Sequence, residues 1–513
     1  MRLRLNAWDW AAIALVLCGV ILRLDHLDWK VYNSDETTTS LRAAGWSEAA
    51  FHGFVGDGRR HRLADLVPFQ AARNQTTAAD TVAALAHDEP QHPPLFFLLE
   101  RAVSAAAGPS IWWQRAAPAV FGILMLPLLW LLARELFGRS PAAAIAAGLA
   151  AVSPYHVVLS QYARQYSLWA ALICLSSFTL LRALRRPSAL AWSYYAAATA
   201  LSLWTFTFSL YVLAAHAIYV LFVVERRAKV AWLVAAAVAV VSFAPWLVAI
   251  ARNWGTVIHT TAWLGSALPP KILLGKWAFN LGTVFFDLDY LSLKFLPMVA
   301  FALMVAALSC VALIRWAPRN ATWFVLALGG TIAVGLAAPD FVAGTSRSTA
   351  ARYLVPLPIA LELATAFAIA CFAAVGGLRS ALAAATFTLL AAGGLASCIV
   401  SGQARSWWIS SNERTIPAVS AALEARGGAP LIVYVATDNY LLELVHDPLA
   451  SGPAAFEIHR PARWPGDVAL ADVYLIGKSP DVAADVSLAR VRRLEIPVYF
   501  PTQDATVTGV RQS

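Results

Sequence analysis

The 513-residue chain has few charged residues, and this shortage excludes most classes of protein. Asp, Glu, Lys and Arg make up 13% of the sequence and hydrophobic residues 59%, and the mean hydropathy is +0.61. A soluble domain carries about 25% charged residues, and so apolar a composition also excludes intrinsic disorder. The apolar residues form long unbroken blocks, whereas a membrane β-barrel needs short alternating runs. We therefore predict an α-helical polytopic membrane protein.

Cysteine is scarce as well, and its positions argue against a disulfide or zinc framework. All five cysteines lie inside apolar segments, where a thiol acts as a small core side chain. These residues are Cys18, Cys174, Cys310, Cys371 and Cys398.

Eleven apolar segments are each close to the roughly 20 residues that a bilayer requires. The first follows MRLRLN and is interpreted as a retained helix, because no small-residue cleavage site comes after it. The other ten predicted spans cover residues 115–133, 142–159, 167–184, 189–206, 208–224, 230–251, 296–314, 321–338, 354–376 and 380–402.

Basic residues predict the orientation of these spans. With a cytoplasmic N-terminus, every short basic connection falls on the cytoplasmic side, as the positive-inside rule requires. The formal charge of +9 then follows from topology, and we expect no nucleic-acid partner. The opposite, periplasmic side receives a first loop at 28–113, a second loop at 252–295 and the C-terminal tail. Residues 92–108 are predicted to form an interfacial helix at the same surface.

The composition changes after residue 402, which predicts two domains. Residues 1–402 form the transmembrane region, including the first loop, and residues 403–513 form a periplasmic tail. In the tail, 413–428 is helix-like and ends in two glycines, while 430–437 and 471–478 are strand-like. A small C-terminal α/β domain outside the membrane is therefore expected.

The first candidate site is a pair of carboxylates just beyond the first span, Asp35 and Glu36. One could accept a proton while the other positions an acceptor hydroxyl. The alternative is helix capping, because Ser34 or Asp35 precedes a helix-like segment. On the residues alone, capping is the more frequent role of such a pair.

Two further candidates lie at the same outer level. Glu89 and His92 stand before a Pro-Pro step in AHDEPQHPPLFF, where they could line a headgroup-level pocket or simply begin a helix. Arg164 and Tyr166 lie in the short turn SQYARQYSL. An arginine at that depth needs an anionic partner, although snorkelling to lipid phosphates would also satisfy it.

The fourth candidate is GTSRSTAARYL, immediately before the tenth span. Arginine forks bind phosphate with two hydrogen bonds, so Arg347 and Arg352, with Tyr353 beside them, suit a lipid-phosphate headgroup. Asp340 and Glu362 are expected to pair with these arginines. Lipid anchoring is again the alternative.

All four groups map to one face of the membrane, as a transferase that uses a lipid-phosphate donor would require. The motif order is a DE pair after the first span, H-P-P-L at the end of a long outer loop, S-Q-x-A-R-x-Y-S-L, and A-R-Y-L before a late span. In this order the sequence resembles the GT-C superfamily, and in particular bacterial glycosyltransferase family 39. Relatives in that family include protein O-mannosyltransferases, aminoarabinose transferases acting on lipid A and lipopolysaccharide-core galacturonosyltransferases.

The resemblance implies a polyprenyl-phosphate sugar donor and inversion at the anomeric carbon. By position, Asp35 is the expected base and Glu36 supports it, while Arg164, Arg352 and His92 stabilise the departing phosphate, with Arg347 a further phosphate ligand. Substrate contacts are expected from Glu89, Tyr166 and Tyr353. Some GT-C enzymes carry an acidic residue, often linked to metal use, where this chain has Arg164 and Tyr166. No obligatory metal or other cofactor is therefore expected.

We thus expect a glycosyltransferase of the bacterial inner membrane, with a lipid, glycan or protein acceptor on the periplasmic side. The alternative from another class is a transporter or flippase for a lipid-linked or anionic substrate. Such a protein would place charges near the bilayer midplane and show repeat symmetry, and the sequence has few mid-span charges and no evident repeat.

Overall fold

A computed structural model describes most of the chain. The described residues are 6–57, 59, 61–72, 75–288, 292–406, 431–434, 440–446, 457–459, 473–476, 491–496 and 507–512. They form two compact units. The membrane unit comprises Met1–Leu27, Glu89–Phe96 and Arg115–Gln403, and the tail unit comprises Asp28–Asp88, Phe97–Gln114 and Ala404–Ser513.

The helices follow in chain order, with short 3-10 turns between some of them. They are α1 (Ala7–Leu24), α2 (Ser34–Ala43), α3 (Glu48–Val55), α4 (Ala78–Asp88), α5 (Leu95–Ala107), α6 (Ile111–Phe137), α7 (Ala142–Ala151), α8 (Pro154–Ser160), α9 (Tyr166–Arg185), α10 (Ala189–Thr205), α11 (Ser209–Val223), α12 (Arg226–Arg252), α13 (Trp254–Thr260), α14 (Pro270–Gly282), α15 (Leu296–Trp316), α16 (Arg319–Ala343), α17 (Pro356–Val375), α18 (Gly377–Gln403) and α19 (Tyr440–Val445).

Eight helices in the described part of the chain are long and apolar enough to cross a bilayer, or nine if the bent pair α7–α8 counts as one span. The other two predicted segments coincide with α10 and α11, of 17 and 15 residues. All eleven predicted segments are therefore helical, and the polytopic membrane fold is confirmed. Helix α5 lies within the predicted interfacial segment, and its 13 residues are too few to span.

The predicted span 142–159 is helical but broken, because α7 and α8 meet at a bend of 58°. Pro154 begins α8, and proline both lacks an N–H and disfavours helical geometry in the preceding residue. The bend is held by hydrogen bonds from its side chain and backbone groups to residues 283 and 284. Ser153 Oγ donates to the carbonyl of Val284 at 2.7 Å, and the backbone N–H of Tyr155 donates to Thr283 at 3.1 Å.

The C-terminal end of α7 is capped by a fully buried arginine from the first span. Arg23 donates to the carbonyls of Ala150 and Ala151 at 3.0 and 2.6 Å, and to Gly19 in its own helix at 2.9 Å. These carbonyls have lost their helical donors at the bend. A Cβ on Gly19 would overlap the Ala151 carbonyl, so the close approach of α1 to the bend requires glycine here.

The tail unit contains a six-stranded sheet with the order β1-β3-β2-β4-β6-β5. Strand β2 pairs in parallel with β3 and β4, whereas β1 joins β3, and β6 joins β4 and β5, in antiparallel register. The strands are β1 (His61–Arg62), β2 (Leu431–Tyr434), β3 (Glu457–His459), β4 (Val473–Ile476), β5 (Val491–Ile496) and β6 (Val507–Gln512).

Two of these strands, β2 and β4, lie within the predicted strand segments 430–437 and 471–478. The predicted helix 413–428 lies outside the described residues. Because β1 comes from the first loop, that loop contributes to the sheet of the tail unit. The domain boundary at residue 402 stays a prediction.

Candidate active site

The segment that carries His92 is held in place by hydrogen bonds that other parts of the membrane unit donate to its backbone carbonyls. Trp246 Nε1 donates to the carbonyl of Pro90 at 2.9 Å, and Thr207 Oγ1 donates to the carbonyl of Gln91 at 2.8 Å. The N–H of His92 itself donates to the carbonyl of Glu89 at 2.9 Å. Since an extended Pro-rich segment cannot satisfy these carbonyls by itself, partners from distant helices determine where His92 lies.

The imidazole of His92 lies between two polar side chains of the turn after α8. Arg164 Nη2 lies 3.3 Å from its Nε2, and the Gln165 amide lies 3.0 Å from its Nδ1. Arginine only donates, so the contact with Arg164 uses Nε2 of His92 as an acceptor. His92 thus contacts both Arg164 and Gln165.

Arg164 is only 4% exposed, which excludes snorkelling to lipid phosphates as its role. The turn that carries it is anchored at its start, where Gln161 Nε2 donates to the carbonyls of Leu22 and Asp25 at 2.7 and 3.1 Å. A buried guanidinium is costly without a hydrogen-bonded environment. An arginine at this depth is a candidate for binding an anion.

Aromatic rings join His92 to the other predicted residues of this unit. Phe206 stacks on His92 with ring centroids 6.1 Å apart, and it meets Tyr166 edge-on at 5.7 Å and Tyr353 at 6.0 Å. Phe208 also contacts Tyr353 at 5.3 Å. The structure thus brings His92, Tyr166 and Tyr353 into one cluster. Sequence reasoning missed both phenylalanines, although the aromatic motif WTFTF at 204–208 extends across the boundary between the predicted spans 189–206 and 208–224.

Arg352 extends the same cluster. Its guanidinium carbon lies 5.4 Å from the ring centres of both Trp263 and Tyr353, in cation–π geometry. The backbone beside it is fixed by Tyr155 Oη, which donates to the carbonyl of Ala351 at 2.8 Å. Trp263 is half exposed and Tyr353 is partly buried, so this arginine contacts two rings of different accessibility.

The predicted pairing of Asp340 and Glu362 with the arginines is wrong. Asp340 accepts hydrogen bonds from the backbone N–H groups of Arg347 and Ser348, both at 2.8 Å. It therefore shapes the loop, while the Arg347 side chain is exposed. Glu362 is fully buried and pairs with His156 at 3.1 Å. Both carboxylates order backbone or helix contacts instead of neutralising a guanidinium.

Asp35 and Glu36 belong to the tail unit and lie in the first turn of α2. The N-cap of α2 is Asn33, whose side chain accepts from the Glu36 N–H at 3.2 Å, and the Glu36 carboxylate accepts from the Asn33 N–H at 3.2 Å. This is a capping box, so neither Ser34 nor Asp35 is the cap. Glu36 is fully buried, and Asp35 is the more accessible carboxylate.

Two buried acids near this pair were missed by sequence reasoning. Glu443, on α19, accepts hydrogen bonds from the side chain and backbone of Ser34, and its burial together with Asp35 raises its pKa well above the ordinary value. Burial and the neighbouring Glu36 also raise the pKa of Glu100, on α5. The only indication in the sequence that these acids are buried is that each stands alone in an apolar run, Glu100 in LFFLLERAV and Glu443 in YLLELV.

The chain is similar to known proteins in part of its sequence and in its fold. Residues 91–248 match the family described as dolichyl-phosphate-mannose-protein mannosyltransferase. Two solved structures of ArnT from Cupriavidus metallidurans are similar over 98% of this chain. The apo form has 14% identity, a TM-score of 0.53 and 98% of its own chain covered. The undecaprenyl phosphate-bound form has 15% identity, a TM-score of 0.50 and 99% covered.

An archaeal enzyme is similar too. The oligosaccharyltransferase of Archaeoglobus fulgidus in its apo form aligns with 86% of this chain and 64% of its own, at 13% identity and a TM-score of 0.50. Comparison with curated protein sequences gave no match. The resemblance to GT-C glycosyltransferases that the sequence motifs indicated is confirmed at the level of the fold.

Proposed function

We propose that this chain, which has the GT-C glycosyltransferase fold, transfers a sugar from a polyprenyl-phosphate donor to an acceptor on the periplasmic side of a bacterial inner membrane. The observation that carries the proposal is the cluster of aromatic and basic side chains in the membrane unit. There, His92 contacts Arg164, and two aromatic rings contact Arg352. A solved structure of similar fold is described as bound to undecaprenyl phosphate, which supports a ligand of the same class here.

The chemistry of the donor explains why such a cluster would be useful. When the bond between the anomeric carbon and the phosphate oxygen breaks, negative charge develops on the lipid phosphate. Guanidinium groups already oriented toward that phosphate stabilise the charge without reorganising. Arg164 and Arg352 supply this stabilisation in our proposal, and exposed Arg347 is a further phosphate ligand. Because a phosphate is already a good leaving group, no metal is required by this scheme.

On the acceptor side, Asp35 removes the proton from the attacking hydroxyl, and attack opposite the phosphate inverts the anomeric carbon. Glu36 supports Asp35 through the capping box that begins α2. Glu89, Tyr166 and Tyr353 are proposed to contact the substrates. The acceptor is a lipid, a glycan or a protein.

The test uses the full-length protein in nanodiscs with radiolabelled polyprenyl-phosphate sugars and candidate acceptors. Asp35→Asn is expected to lower transfer at least about 100-fold, the size of a lost general base, while donor binding changes little. Asp57→Asn is a matched control on an exposed loop of the same unit. A fully active Asp35→Asn variant would remove the central assignment.

The same protein in proteoliposomes addresses the transporter alternative. Release of lipid phosphate together with glycosylated acceptor supports the proposal. Movement of intact donor across the bilayer, with no lipid phosphate released, would refute the proposal in favour of a flippase.

A further inference from the structure

The short tail helix α19 buries an acid against the beginning of α2. Glu443 is 3% exposed and its neighbour Leu442 is fully buried. The Glu443 carboxyl accepts from both the hydroxyl and the backbone N–H of Ser34, which is the first residue of α2. The first N–H groups of a helix have no partner within it. Glu443 therefore adds a second cap to the helix turn that carries Asp35.

A second contact from the same tail segment reaches the residues before α2. The ring of His446 lies 4.4 Å from that of Tyr32, and its Nε2 lies 2.9 Å from Oε1 of Gln70. The Tyr32 hydroxyl is in turn within 2.6 Å of Ser40 Oγ. The entry to α2 and its first turn are thus both held by residues 443–446, about 400 positions later in the chain.

Electrostatics near Glu443 favour its neutral form. The charged groups that face it from α2 are Asp35 and Glu36, and both oppose its ionisation. The 3-10 segment Leu63–Gln70 also packs against α19, and the side chain of its one acid, Asp65, accepts from the Arg62 N–H. A neutral carboxyl still accepts from Ser34 through its carbonyl oxygen. It does so without adding negative charge beside Asp35.

We propose that Glu443 is a positioning residue for Asp35, and that the C-terminal tail thereby completes the acceptor side of the site. The inference rests on the proposed function, in which Asp35 is the base. Glu443 does not touch substrate. It fixes the first turn of α2, and because Glu443 acts as a neutral hydrogen-bond acceptor, glutamine should replace it.

The experiment compares Glu443→Gln and Glu443→Ala in the full-length protein in nanodiscs, with Asp57→Asn as the control. Glu443→Ala should lower kcat about fivefold to tenfold, as expected for a lost helix cap, with the KM for donor nearly unchanged. Glu443→Gln should retain kcat within about twofold, because its amide oxygen accepts the same bonds. Equal loss in both variants would refute the neutral role, and full activity of Glu443→Ala would refute the positioning role.

Hydrogen exchange of the peptide that contains α2 supplies a readout independent of activity. Glu443→Ala should speed exchange at residues 34–37, whereas Glu443→Gln should not. If the wild type transfers no sugar from any donor, the proposed function fails, and exchange still decides whether Glu443 holds α2. If Glu443→Ala does not fold, Ser34→Ala takes its place. Unchanged kcat and exchange in that variant would overturn the proposal.

Discussion

Helices α6 and α8 meet at a glycine, and filling that position should disturb the Arg164 turn. Gly122 faces Ser160, the last residue of α8. A Cβ added to Gly122 would overlap Ser160 Oγ and lie 2.7 Å from Ser160 Cβ. Ser160 cannot easily turn aside, because its hydroxyl donates to the carbonyl of His156 at 2.6 Å. Non-bonded carbon atoms pack best about 3.5–4.0 Å apart, so Gly122→Ala requires a shift of roughly 1 Å to restore that separation.

The size of the overlap sets the expected effect of Gly122→Ala on stability and on kcat. Overpacking of a well-packed contact lowers the free energy of unfolding by about 1–3 kcal/mol. Alanine forms helix better than glycine, which raises it by about 0.5–1 kcal/mol. Gly122→Ala should therefore lower the free energy of unfolding by up to about 2.5 kcal/mol. The effect on kcat should be larger. Arg164 lies four residues beyond Ser160, and a misplacement of 1 Å at a reacting centre can lower the rate about 100-fold.

The assay measures thermal unfolding and sugar transfer on the same nanodisc preparations. Gly330→Ala is the matched control, since a Cβ on that glycine of α16 meets nothing within 4 Å. It should leave kcat unchanged and stability equal or slightly higher. The double variant Gly122→Ala/Ser160→Gly reopens the space, so it should recover part of the lost activity. If Gly122→Ala and Gly330→Ala behave alike, the proposed positioning of the turn is wrong.

Two further predictions concern buried acids. Because burial and Glu36 raise the pKa of Glu100 above its ordinary value of 4.5, this group favours the folded state below that pH, and the benefit is lost as pH rises through the folded-state pKa. The unfolding temperature of Glu100→Gln should accordingly decrease less steeply than that of the wild type as the pH rises from about 4.5 to 8. Identical slopes for the two proteins would refute this account. Glu362→Leu should cost about 1–3 kcal/mol by leaving buried His156 without its partner. A His156→Leu/Glu362→Leu double variant should recover much of that stability, and additive losses would contradict the pairing.

The positions of the membrane helices could be predicted from the sequence, because a bilayer imposes a local condition. Each segment must be apolar over about 20 residues and satisfy its own backbone hydrogen bonds, and both requirements can be evaluated within one segment. The same reasoning indicated the Arg164 turn, since an arginine between two apolar segments is costly wherever it lies. It could not indicate that the carbonyls freed at the break between α7 and α8 are capped by Arg23, because that arginine comes from another helix.

The tertiary structure decided how the candidate residues are used. Glu36 and Asp35 are adjacent in sequence, yet only the capping box with Asn33 separates a buried structural acid from an accessible one. Phe206 joins His92 to Tyr353, although the chain separates these residues widely. Such contacts depend on packing between distant segments, so local composition carries no information about them. The sequence by itself determined which residues must lie in the membrane, and packing determined which residues lie together.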